Sequence, residues 1–140
     1  MNMTQVESMS ERRRILHTML RVGDMQRSID FYTRVLGMQV LRRYENRREK
    51  YHLCFMGYQD ESSGPVLELT YNLGVEHYDH GSAYGHIAIQ VDDCRKACAE
   101  IWEQGAKVTC PPTRIPGMDE VIAFVADPDG YAIELVQRLT

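Results

Sequence analysis

Polar and apolar residues alternate along HTMLRV (17–22). The spacing then changes to the threes and fours of a helix, with Ile29, Tyr32, Val35 and Leu36 on one stripe. Asp24 stands where a helix needs an N-cap and Gly37 where it needs a left-handed exit, so MQRSIDFYTRVL is predicted as a helix. Three strand-like segments follow: MQVLRRYE, EKYHLCFMG and PVLELTYN. The same order then returns. HIAIQV predicts a strand and CRKACAEIWEQ a helix between Asp93 and Gly105. AKVTC, EVIAFVAD and YAIELVQ predict three strands, the last two joined by the turn Asp127-Pro128-Asp129-Gly130.

The two series can be laid over each other. His17 and His86 are 69 positions apart, as are Asp24 and Asp93; Gly37 and Gly105 are 68 apart, and Glu68 and Glu134 are 66 apart. A nearly constant offset across caps, apolar and polar positions implies duplication. The expected fold class is α+β, two tandem βαβββ modules forming a curved mixed sheet. The expected division is a polar leader over 1–13, a first module over 14–73, a linker over 74–82 and a second module over 83–140.

Splitting each strand by parity separates its two faces. Thr18, Leu20 and Val22 oppose His17, Met19 and Arg21, while Leu67, Leu69 and Tyr71 oppose Glu68, Thr70 and Asn72. In the second copy Ile87, Ile89 and Val91 oppose His86, Ala88 and Gln90, and Ile133 and Leu135 oppose Glu134. The aliphatic faces must cover the helices, which leaves His17, Glu68, His86 and Glu134 on a shared concave surface. Two imidazoles and two carboxylates at matching repeat positions suit a divalent first-row ion with open coordination positions. Any one of the four, taken singly, is more often an ordinary strand residue; the matched set is what carries weight. His52 lacks a repeat partner, and His77 and His80 fall in the linker, so none of these three is expected to be a ligand.

Composition narrows the partners. With 140 residues, 44% apolar and 26% charged, the chain is an ordinary globular one, and a net charge of −4 offers no basic footprint for nucleic acid or a membrane surface. The opening MNMTQVESMSERRR has no apolar stretch of the secretory kind. Cys54, Cys94, Cys98 and Cys110 form no CxxC pair and predict free thiols in a reducing, cytoplasmic setting.

The segments HTMLRVGDMQRSIDFYTRVLGM, LELTYN, AYGHIAI and FVADPDGYAIELV resemble the short bacterial glyoxalase I enzymes of the vicinal oxygen chelate superfamily. The likeness runs from Ile15 to Val136 and weakens over Tyr44–Lys50 and Pro111–Glu120. By resemblance, the metal ligands are His17, Glu68, His86 and Glu134, and Arg21 and Asn72 hold the γ-glutamyl end of glutathione. Arg114 is the sole basic residue of a loop that aligns loosely with a basic loop of the family, and it is left outside the expected site. The reaction implied is isomerisation of the methylglyoxal–glutathione hemithioacetal to S-lactoylglutathione. It proceeds by proton transfer through an enediolate at the metal, with Glu134 as the main shuttle and Glu68 as its counterpart. Nickel is the expected ion, with cobalt, manganese and zinc as alternatives. The family is typically a homodimer with sites shared between chains, an arrangement this sequence cannot distinguish from a closed monomer. Competing readings are another superfamily enzyme, such as a thiol transferase, dioxygenase or epimerase, and a metal-free drug-binding module. The second carboxylate, Glu68, speaks against the transferase and the dioxygenase.

Overall fold

A computed structural model describes residues 11–140; the leader expected over 1–13 lies mostly outside them. The first module runs β1 (His17–Arg21), α1 (Met25–Asp30), β2 (Gln39–Asn46), β3 (Tyr51–Gly57) and β4 (Val66–Asn72). The second runs β5 (Ile87–Gln90), α2 (Cys94–Glu103), β6 (Lys107–Ile115), β7 (Glu120–Ala126) and β8 (Ala132–Arg138). Each module builds its own four-stranded mixed sheet, ordered β1-β4-β3-β2 and β5-β8-β7-β6. The first and last strands of each module are parallel neighbours, and the remaining pairs are antiparallel. The fold is the expected α+β duplication, realised in this chain as two sheets.

Both helices begin as their caps dictate. Asp24 accepts from the Arg27 N–H at 3.0 Å and Asp93 from the Lys96 N–H at 3.0 Å, each from an extended backbone. Gly37 (φ +74°) and Gly105 (φ +81°) close them in the left-handed region that disfavours a side chain. The first helix departs from expectation. After Asp30 it widens into a π-helical segment over Phe31–Val35, which buries the adjacent rings of Phe31 and Tyr32. The sixth strand also runs further than AKVTC predicted, through Pro111 and Pro112 to Ile115. It is an edge strand, where missing N–H groups cost little, and its pairing with β7 slips on either side of Cys110, the second time across the two prolines.

One apolar cluster joins the modules, from Val22, Ile29, Tyr32 and Leu69 to Cys98, Ile101, Val125, Ile133 and Leu135. Polar contacts add to it at the turn between β7 and β8. Tyr32 Oη donates to Asp127 Oδ2 at 2.6 Å; burial pushes both the phenol and the carboxyl upward in pKa. Asp129 Oδ1 accepts from the Gly23 N–H at 2.8 Å and from Arg27 at 3.1 Å, and its Oδ2 from Ser28 Oγ at 3.2 Å. A turn in the second module therefore grips the start of the first helix. Among the described residues, no helix is long and apolar enough to cross a membrane.

Candidate metal centre

The parallel pairing of β1 with β4 sets Met19 opposite Glu68, which leaves His17 one step diagonal from that carboxylate on the same face. The imidazole Nε2 lies 2.8 Å from Glu68 Oε2. In the second module Ala88 pairs with Glu134, and His86 Nε2 lies 3.6 Å from Glu134 Oε1. The two pairs differ in exposure: side-chain values are 39% and 12% for His17 and Glu68, and 44% and 20% for His86 and Glu134. The histidines of both pairs are thus open on one side. The four residues come together as two pairs rather than one group, because among the described residues no three potential ligands cluster within the chain.

Each imidazole rests edge-on against a phenylalanine from the strand beyond the glutamate. Phe55 sits 5.7 Å from His17 and Phe124 sits 5.2 Å from His86, both at 78°. Each ring pairs in register with its module's glutamate, Phe55 with Glu68 and Phe124 with Glu134. These aromatic rings were missed by sequence reasoning, which sorts phenylalanine into the core. Their separation of 69 positions, identical to that of the histidines, was the available signal.

Symmetry ends on the next strand. Opposite Phe55 is Arg42, whose guanidinium lies 3.8 Å above the ring and grips Glu61 at 2.7 and 3.1 Å. That contact holds the Glu61 carboxyl below its ordinary range and raises Arg42 further. Opposite Phe124 stands Cys110, a free cysteine.

Arg21 lies exposed at the far end of β1, in register with Thr70. Asn72 continues the same face of β4 and donates through Nδ2 to Tyr78 Oη at 3.1 Å. The three other histidines pack on aromatic rings or lie open: His52 on Tyr71, His80 stacked 4.2 Å above Tyr131, and His77 exposed. Arg114 pairs with Asp119 at 2.9 Å in the exposed hairpin between β6 and β7. All four cysteines are unpaired, and burial raises the pKa of Cys54, Cys94 and Cys98.

Residues 14–135 match the family model of the Glyoxalase/Bleomycin resistance protein/Dioxygenase superfamily. The lactoylglutathione lyase of Escherichia coli O157:H7 is 57% identical over 125 residues, spanning 89% of this chain and 93% of the relative. A probable lactoylglutathione lyase of Vibrio cholerae is 59% identical over the same length, spanning 91% of that relative. Among solved structures, glyoxalase I from Zea mays superposes with a TM-score of 0.86 at 45% identity; it covers 91% of this chain, which spans 45% of the maize chain. The trypanothione-dependent glyoxalase I of Leishmania major gives a TM-score of 0.82 at 50% identity, covering 90% of this chain and 87% of that one. The chain belongs to the glyoxalase superfamily and, within it, to the family of lactoylglutathione lyases.

Proposed function

We propose that the chain converts the hemithioacetal of methylglyoxal and glutathione into S-lactoylglutathione, disposing of a reactive aldehyde. The observation that carries this reading is the duplicated imidazole–carboxylate pair, at 2.8 and 3.6 Å, on matching strands of two modules. Nitrogen and oxygen donors in equal number fit a borderline divalent first-row ion. His17, Glu68, His86 and Glu134 would hold it, with nickel preferred over cobalt, manganese and zinc. When bound, the ion supplies Lewis-acid stabilisation for the negative charge left as a carbon acid loses its proton.

The remaining chemistry falls to side chains. Glu134 removes the proton from the former aldehyde carbon of the hemithioacetal and returns it to the neighbouring carbon, so the net change is an isomerisation. Glu68, its repeat partner, serves the opposite face. Arg21 receives the γ-glutamyl carboxylate. It stands four residues from His17, roughly 13 Å along an extended strand, which is a distance a tripeptide thiol can span.

The two half-sites of one chain suit a centre shared between two chains, with His17 and Glu68 of one meeting His86 and Glu134 of the other. A homodimer then holds two centres. The unpaired thiols suit a cytoplasmic enzyme.

Subunit complementation tests this reading. A chain carrying His17→Ala and Glu68→Ala is inactive alone, as is one carrying His86→Ala and Glu134→Ala. Co-refolded, they form a hybrid with one intact centre and recover thioester formation together with one tightly held nickel per dimer. If no activity or metal returns in a verified hybrid, the shared site is wrong.

A further inference from the structure

The linker does more than connect. Directly after β4 the chain turns tightly, with the Val75 N–H donating to the Asn72 carbonyl at 2.9 Å and Gly74 at φ +85°. It then crosses residue 23 so closely that a Cβ there would collide with the Glu76 carbonyl. Beyond that crossing, His80 stacks on Tyr131 at 4.2 Å with an interplanar angle of 6°. Tyr131 in turn donates to the Arg21 carbonyl at 2.7 Å. These contacts seat the half-buried Tyr78 so that its phenol oxygen accepts from Asn72 Nδ2 at 3.1 Å.

The hydrogen bond has a chemical consequence. With Nδ2 committed to the phenol, the carboxamide oxygen of Asn72 accepts no bond among the described residues. It stands on the same sheet face as Arg21, on the neighbouring strand and diagonal to it. An amide oxygen is an acceptor only, and a guanidinium is a donor only. Side by side they match a group that carries both an ammonium and a carboxylate on one carbon.

We infer that Tyr78 is a positioning residue for substrate selection: it turns Asn72 so that the site takes a zwitterionic α-amino-acid head, with amine to Asn72 and carboxylate to Arg21. This rests on the proposed roles of Arg21 and Asn72 in holding the γ-glutamyl end. A phenylalanine at 78 keeps the ring but frees the carboxamide to rotate, so the preference for the amine falls while the chemistry at the far end continues.

The test compares two thiols on metal-loaded dimer: glutathione and its des-amino analogue glutaryl-cysteinyl-glycine, each as the methylglyoxal adduct. Tyr78→Phe is expected to raise KM for the glutathione adduct roughly 3- to 10-fold, the size of one net hydrogen bond, with kcat within about twofold. KM for the des-amino adduct stays put, and the effect is not additive with Asn72→Ala. Tyr78→Leu provides the same comparison should the phenylalanine variant pack poorly. Equal KM increases for both thiols, or a loss confined to kcat, would mean a merely structural tyrosine and overturn the inference. Unchanged KM in Tyr78→Phe, alongside raised KM in Arg21→Ala and Asn72→Ala, overturns it while leaving the subsite intact. If Arg21→Ala and Asn72→Ala also leave KM unchanged, the subsite reading has failed and the inference falls with it.

Discussion

The two half-sites are built from one plan and finished differently. In the first module imidazole and carboxylate are in direct contact at 2.8 Å, and the ring behind them is held down by the Arg42–Glu61 pair. In the second they stand 3.6 Å apart, the glutamate is more open, and a cysteine replaces the clamp. Duplication supplies equivalent positions, whereas neighbours decide what each position can do. A side chain that is to shuttle a proton needs freedom to approach and withdraw, and the looser pair contains Glu134, the proposed base. The tighter pair is better suited to holding an ion in place.

The largest effect that could break this contrast is catalytic. Glu134→Gln is expected to lower kcat by about 10³-fold, within the range for losing a general base. Glu68→Gln should cost a smaller factor, roughly 10- to 100-fold, together with weaker metal binding. Steady-state kinetics and metal titration of the two variants side by side decide it; equal losses would make the glutamates interchangeable. Next in size is packing. Phe55 is only 4% exposed, so Phe55→Ala should destabilise the fold by about 3–5 kcal/mol. The more exposed Phe124 should cost about half as much on truncation, and urea denaturation would show whether the order reverses. The smallest effect concerns the clamp. The folded-state pKa of Glu61 is depressed by Arg42, so its contribution exists above the ordinary carboxylate range and disappears as pH falls through the depressed value. The pair is solvent-exposed, so the stability difference between the parent and Glu61→Gln should be slight at neutral pH and vanish in acid. A difference that persists or grows below that range would show that the clamp acts by something other than charge.

Much of this was readable from the chain because alternation with period two is unambiguous when one face is aliphatic. Thr18–Leu20–Val22 and Leu67–Leu69–Tyr71 announce which side is core, and parity then places His17 and Glu68 opposite. The caps were legible for a similar reason: Asp24 and Asp93 each sit directly before an apolar helical stripe. What escaped depends on contacts between residues far apart in sequence. Asp127 and Asp129 looked like turn formers and are; that they also grip Gly23, Arg27, Ser28 and Tyr32 follows only from how the modules stack. Tyr78 lies in a segment without periodicity, so nothing marked it. The π-helical widening after Asp30 was hidden because its apolar spacing passes for that of an α-helix.

Gly23 couples the end of the first strand to the segment that carries Tyr78. Its N–H anchors Asp129, and the side chain it lacks leaves room for the crossing: a methyl group there would meet the Glu76 carbonyl and lift the segment that seats Tyr78. Under the role inferred for Tyr78, the clearance between two passing stretches of backbone becomes a lever on substrate preference that leaves every reacting group untouched.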